Sequence, residues 1–375
     1  MKSLFIYNPV DLNAEVPGGV QLCTQEFLKI IESASDTIEY CEVKVSRRLS
    51  WRLRRRFHLG SYLFYHPEEA RDAIISSLQR TTPTHVFLNR TQLVRLTPLL
   101  RQLLPEAQII MMNLGNQSGD DLYELAGPGG RRTKGLSRLS ALWQFGLDVG
   151  TESWFRHRYV DAICVMSVEE EAIERWLGTK RTVILPRTVQ VESLPRNPQI
   201  GRIGFVGTLN HTPNCVALDL VCSVLSQLIN SLDYPIELRL VGRPETFGQN
   251  LAERFKFVTY LGALDESALK EEVSTWVLFL NPIFWLSCGA SMKLGKAISW
   301  GIPFLTTQSG SRGYELVDAA VLTTPDDPQS FVSQLLTLVS SKVALDEAQR
   351  IVDLNQRHGC TIENLSQRLS SRLAR

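Results

Sequence analysis

Between Asn281 and Gly310 the chain reads NPIFWLSCGASMKLGKAISWGIPFLTTQSG. The order is a strand end, a small-residue loop, a helix, then Gly-x-Pro into another strand and a Thr-Thr-x-Ser-Gly turn. Gly289, Ala290 and Ser291 offer backbone N–H groups where the helix begins, and the dipole there favours an anion. Lys293 and Lys296 fall in the first turns of the same helix, the end at which a cation opposes the dipole. Cations placed against that field point to a bound anion, and a diphosphate is the natural candidate. Arg312 follows closely enough to join them. The plain alternative is a pair of solvated lysines.

Two glycine-bearing turns repeat the design at other strand ends. Pro17-Gly18-Gly19-Val20 opens a helix after the first apolar run, and its glycines let backbone donors approach an anionic group. Simple chain reversal explains a Gly-Gly pair equally well. Gly207-Thr208-Leu209-Asn210 precedes His211-Thr212-Pro213-Asn214 in the second half, with polar side chains after the strand. A third feature is the run Arg47, Arg48, Arg52, Arg54, Arg55 and Arg56 around Trp51, Leu53, Phe57 and Leu59. Basic and apolar residues mixed in this way suit an anionic membrane or a phosphorylated lipid acceptor, and a solvated helix face is the bland reading.

The elements that must position these residues follow a repeated rhythm. Short apolar runs at Ser3–Tyr7, Thr84–Leu88, Gln108–Met112, Ala162–Val165 and Thr182–Leu185 read as buried strands, with helical sequence between several of them. A loop at 187–199 with Pro195 and Pro198 reads as a linker. The rhythm restarts at Arg202–Val206, Glu237–Val241, Lys256–Leu261, Val277–Leu280 and Pro303–Thr306. Helical stretches between them include Cys215–Leu228 and Lys293–Trp300. The expected architecture is α/β, with two tandem Rossmann-like doubly wound domains at residues 1–190 and 191–350. Residues 351–375 read as a C-terminal helix that either crosses back to the first domain or caps the second as a solvated helix.

Composition fits this picture and narrows the function. The 375 residues carry 40 Lys+Arg against 39 Asp+Glu, a net charge of +1, which argues against a dedicated nucleic-acid binder. Seven scattered cysteines form no C-x-x-C pair, and the six histidines do not cluster with them, so metal and disulfide frameworks are disfavoured. Apolar runs read as shorter than a membrane helix requires, and the first residues offer too short an apolar core for a leader, so a cytoplasmic setting is expected.

Taken in order, the motifs resemble the GT-B-fold glycosyltransferases, particularly the retaining family-4 group. The matching stretches are Pro17-Gly18-Gly19-Val20, Asp161-Ala162-Ile163-Cys164-Val165-Met166-Ser167 and Ile184-Leu185-Pro186 in the first half. In the second half they are Gly204-Phe205-Val206-Gly207, Leu240-Val241-Gly242 and Lys293-Leu294-Gly295-Lys296-Ala297, the last followed by Gly301-x-Pro303. The resemblance implies transfer of a sugar from a nucleotide-sugar donor bound by the C-terminal domain, with no metal and no further cofactor. It assigns the donor phosphates to Lys293, to backbone donors at Gly289, Ala290 and Ser291, and to Gly18 and Gly19. Gly207, Thr208, Asn210, Thr306, Thr307 and Ser309 are expected beside the donor. Cys288 and Lys296 stand where the family commonly has two glutamates, the second of which binds the donor ribose.

The acceptor, a saccharide or lipid-linked group, is expected on the N-terminal domain, where Asp120 or Asp121 would orient its hydroxyl. The loop 127–135, with Pro128, Arg131, Arg132 and Lys134, reads as a basic segment able to close over an anionic acceptor. Polysaccharide or glycolipid synthesis by a peripheral membrane protein is the setting this implies. Two alternatives remain: a catalytically silent GT-B subunit that binds an acceptor or partner enzyme, and a nucleotide-sugar epimerase.

Overall fold

A computed structural model describes residues 1–13, 18–127, 135–285 and 289–374. Pro17, Pro128, Arg131, Arg132, Lys134 and Cys288, singled out above, lie outside those residues. The chain forms two compact units. One comprises the residues up to Ala126, from Gly135 to Thr188 and from Cys360 onward; the other is Val189–Gly359.

The first unit is built on strands β1 (Lys2–Tyr7), β2 (Thr37–Glu42), β3 (His85–Asn89), β4 (Gln108–Met112), β5 (Ala162–Val165) and β6 (Thr182–Ile184). They pair in parallel in the order β2-β1-β3-β4-β5-β6. Central strands β4 and β5 are buried almost end to end because helices cover both faces, as a parallel sheet requires. Strand β2 was not foreseen. It is an edge strand whose TIEYCE sequence buries only Cys41, so it lacks the apolar run that marks its neighbours.

Helices α1 (Gly19–Ala34), α2 (Leu49–Arg56), α3 (Gln117–Ala126) and α4 (Gly135–Tyr159) belong to this unit. The 25-residue α4 was also unforeseen, for a physical reason. Its buried stripe is charged: Asp148, Glu152 and Arg156 are each at most 1% exposed. At spacing i, i+4, i+8 they lie on one face, where a hydrophobic pattern would normally announce a helix.

Strands β7 (Arg202–Val206), β8 (Glu237–Val241), β9 (Val258–Gly262), β10 (Leu278–Asn281), β11 (Phe304–Thr307) and β12 (Thr323–Thr324) make the second sheet. Its order is β12-β11-β10-β7-β8-β9, all parallel. Chain order reverses between β7 and β10, and the crevice beyond the carboxyl ends of two such strands is where ligands bind in open α/β sheets. Helices α5 (Thr212–Leu228) and α6 (Met292–Trp300) start from those two strands. Among the described residues, Thr212–Ser231 is long and apolar enough to cross a membrane, contrary to the expectation of shorter runs. Its Leu218, Val221, Cys222 and Leu225 are nonetheless fully buried in the core of this unit.

The chain ends with α7 (Ile362–Leu373), which belongs to the first unit and packs along α1. Leu365, Leu369 and Leu373 form its buried face, and Ser33 Oγ donates to Ser366 Oγ at 3.1 Å.

Gly204 shows how tightly the second sheet is filled. A Cβ at this position would lie 2.1 Å from the ring of Trp276, which has no exposed surface. Overpacking a closed core costs about 1–3 kcal/mol. Gly204→Ala should therefore lower the unfolding free energy by about that amount in a denaturant titration. An unchanged midpoint would mean that the core around Trp276 yields freely.

Candidate functional site

The crevice between β7 and β10 gathers most of the residues expected to hold a diphosphate. Lys293, in the first turn of α6, is half-buried and donates from Nζ to Asn214 Oδ1 at 2.6 Å. Its ammonium also lies 4.8 Å from the centre of the Phe205 ring, a cation–π distance. Gly207 permits this approach, since a Cβ there would meet Lys293 Cδ at 3.2 Å. Burial pushes the Lys293 ammonium down to about 7, and the charge of Arg312 adds to the effect. His211 is held below its ordinary value by burial first and then by the Lys293 charge.

Asn214 joins the two strand ends. Its Nδ2 donates to Thr208 O at 2.8 Å while its Oδ1 receives Lys293, so the loop after β7 and the helix after β10 are fixed together. Neither α5 nor α6 has a side-chain cap. His211 and Ser291 occupy the cap positions without bonding the first-turn N–H groups. Ser291 Oγ donates instead to Asn281 Oδ1 at 2.8 Å. In α5, Pro213 has no N–H and Asn214 N donates to His211 O at 3.0 Å, so the uncapped start of α6, beside one ammonium, is the main anion-binding element here.

A second layer holds this arrangement from below. Fully buried Asn281 donates from Nδ2 to Thr306 Oγ1 at 2.9 Å and to Gly310 O at 3.0 Å. Tyr314 donates to Ser291 O at 2.9 Å and packs where Gly295 has no side chain. Arg312 is buried and donates to Ser309 O. Asn214, His211, Asn281 and Tyr314 were not among the expected site residues. Asn214 stood in the sequence among the polar residues after β7, but its bond to Lys293, 79 residues away, comes only from the structure.

Several expected donor contacts are engaged otherwise. Thr307 has no exposed surface; its hydroxyl accepts from Ile283 N at 3.2 Å and from Gly310 N at 3.1 Å, capping the turn after β11. Thr306 is equally buried. Ser309 bonds Asp326 through both its backbone N, at 2.8 Å, and its hydroxyl, at 2.5 Å. Thr306 and Thr307 build the floor of the site, while Ser309 is half-buried at its edge with its hydroxyl held by Asp326. Thr208 and Asn210 are exposed on the loop, and Gly289 and Ala290 are partly exposed before α6.

Lys296 parts from the group. It is exposed, its ammonium lies 5.3 Å from the Trp300 ring centre, and its charge acts on Glu192 and Glu266. The structure does not bring it to Asn214 and Phe205.

In the first unit, Asp120 and Asp121 lie on α3, just after β4. Asp120 is raised to about 6 by partial desolvation, then by the fields of Glu152 and Glu124. Asp121 accepts from Gln117 Nε2 at 3.4 Å. Beneath them the charged stripe of α4 fixes the loop. Glu152 accepts from Ser118 N at 3.2 Å and from the Tyr62 hydroxyl, while Tyr62 also accepts from Gln117 N at 3.2 Å. Arg156 donates to Glu174 at 2.6 and 2.9 Å and to Asn116 Oδ1 at 2.7 Å, and Asn113 Nδ2 donates to Glu174 at 2.9 Å. Thr179 Oγ1 also donates to Glu174 at 2.8 Å, so the carboxylate is bonded on every side, while Arg156 Nη1 has no hydrogen-bond partner among the described residues. Gly18 and Gly19 open α1 after β1, with β3 between them and the β4 loop, and Gly18 N donates to Gln21 Oε1 at 3.0 Å.

Comparison with known proteins follows this geometry. Residues 201–341 match the family described as glycosyl transferases group 1. Over the full chain, the structure superposes on sucrose-phosphate synthase from Thermosynechococcus elongatus with a TM-score of 0.67 at 14% identity, covering 98% of that chain. The fold is that of the GT-B glycosyltransferases. Anabaena HepE in complex with UDP and glucose superposes at 0.63 and 11% identity, over 100% of this chain and 99% of that one. WaaG, a glycosyltransferase involved in lipopolysaccharide biosynthesis, superposes at 0.60 and 13% identity, with 98% of each chain covered. A search of curated protein sequences finds no significant match.

The Lys293 environment makes a directional prediction. A lysine whose folded pKa lies below its ordinary 10.5 costs stability while charged, and the cost fades as pH rises from about 7 toward that value. Lys293→Met should therefore raise the melting temperature more at pH 6 than at pH 9. An equal change at both would contradict the desolvated site.

Proposed function

We propose that the protein transfers a sugar, with retention, from a nucleoside-diphosphate sugar to a saccharide or lipid-linked acceptor in polysaccharide or glycolipid synthesis. The donor is held by the second unit and the acceptor by the first. One observation carries the reading: Lys293 sits between the uncapped N-termini of α5 and α6 at the point where strand order reverses. The match of residues 201–341 to group 1 glycosyltransferases, and the HepE complexes with UDP and UDP-glucose, support a nucleotide-sugar donor.

The chemistry follows from charge. As the sugar–phosphate bond breaks, the leaving nucleoside diphosphate gains negative charge, and fixed donors aimed at it lower the barrier. Lys293 supplies a cation that water stabilises poorly, so its attraction for a dianion is strong. Binding the dianion would raise the lysine back toward full charge. Asp120, raised to about 6, is suited to accept a hydrogen bond from an acceptor hydroxyl and to take its proton. Retention asks little more than leaving-group stabilisation and an acceptor held in place. Lys296, turned toward Glu192 and Glu266, leaves the ribose to other groups of the second unit.

A thermal-shift screen against UDP, GDP, ADP, dTDP and CMP, followed by turnover with the matching sugar donor, tests the reading. One diphosphate should raise the melting temperature selectively, since a ligand of the folded state stabilises it by mass action. Lys293→Ala should abolish that shift and cut turnover by about 100-fold or more. Lys296→Glu should leave nucleotide choice unchanged. No shift with any nucleotide, and no turnover, would favour the silent-subunit reading.

A further inference from the structure

Two helices of the first unit turn apolar side chains outward. Helix α2 seats itself through Trp51, whose ring lies 4.5 Å from that of His66, and Arg55, 5.0 Å from the Phe64 ring centre. The opposite face is left to solvent, with Leu53 45% and Phe57 62% exposed. At the start of α4, Leu139 and Trp143 lie four residues apart and are 64% and 60% exposed. The two faces adjoin: Trp143 Nε1 donates to His58 O at 3.1 Å, and the His58 ring bonds Gln144 Oε1 at 2.9 Å.

Charge completes the surface. Arg52 and Arg56 are exposed on α2 between the apolar side chains, and Arg138 is exposed on α4. The sequence holds no acidic residue between Glu42 and Glu68, and none between Glu124 and Asp148. A solvated helix turns its leucines in and its arginines out, whereas here both point out. Contiguous exposed side chains of this size mark an interaction surface, and the exposed Arg52, Arg56 and Arg138 form a basic rim complementary to an anionic one, with Arg48 before α2 paired to Glu69 at 3.4 Å.

We propose that this face docks the protein on an anionic lipid bilayer. Phe57, Leu53, Leu139 and Trp143 enter the boundary between headgroups and acyl chains, and the arginines pair with lipid phosphates above it. The arginine-rich segment alone pointed this way in the sequence. The partner face on α4, tied to it through His58, comes from the structure. Docking does not depend on sugar transfer, so it is tested separately.

The test is co-sedimentation of the full chain with vesicles of phosphatidylcholine alone or mixed with phosphatidylglycerol. The protein should sediment with the anionic vesicles, release as salt rises, and stay in solution with the neutral ones. Each arginine near the surface contributes about fivefold in binding, so Arg52→Glu with Arg56→Glu should weaken it by more than tenfold. Phe57→Ser with Leu139→Ser should do likewise without lowering the melting temperature, because both side chains are already exposed. Failure to sediment with anionic vesicles, or equal binding to neutral ones, would overturn the proposal. So would a dimer or protein complex in solution that these same substitutions dissociate.

Discussion

The bond from Lys293 to Asn214, with the ammonium over the Phe205 ring, is the constraint around which the second unit is arranged. Putting a cation at a helix N-terminus works against the helix field. The fold accepts that cost because three separate segments meet there. Phe205 and Gly207 come from β7 and its loop, Asn214 from α5 and Lys293 from α6. Asn281, Thr306, Thr307 and Gly310 then lock the carboxyl ends of β10 and β11 beneath them. Burial lowers the basicity of Lys293, so an anion arriving beside it would draw a proton back onto its Nζ.

The first unit meets a comparable demand in the opposite way. Its loop after β4 is supported by charge inside the protein, through Glu152, Arg156 and Glu174, in place of apolar packing. The pair Arg156–Glu174 reaches both Asn113 and Asn116, so the loop conformation is set by directional bonds. Such bonds fix geometry more sharply than hydrophobic contact, which is non-directional. Asp120 stands on the helix that this loop begins, and Glu152 contributes to its raised pKa. Support and electrostatics thus come from the same stripe of α4.

How far the sequence disclosed this depended on the signal each element carries. Buried parallel strands announce themselves as apolar runs, so β4, β5, β7 and β8 were legible to the residue. Edge strand β2, with alternating polar residues, and the two-residue β12 carried no such run. Helix α4 was hidden because its inward face is charged, and side-chain periodicity was sought in apolar residues. At the site, position against the helix field singled out Lys293 and Lys296 alike, and only the structure separates them. Thr307 and Ser309 had suitable chemistry, but a hydroxyl near a strand end serves equally well as a turn cap, and spacing alone does not distinguish the two uses. Asn214 needed the third dimension, since its partner lies 79 residues away.

Lys293 is a desolvated amine that a bound phosphate would draw to full charge, and proton linkage tests this most directly. Titration calorimetry of the full chain with the stabilising nucleoside diphosphate, at pH 8 in buffers of different ionisation enthalpy, measures protons taken up on binding. With Lys293 at about 7 before binding and restored toward its ordinary value afterwards, the wild type should take up most of one proton. Lys293→Met should take up almost none in any residual binding. Tight binding by the wild type without proton uptake would place the phosphates elsewhere and contradict the account.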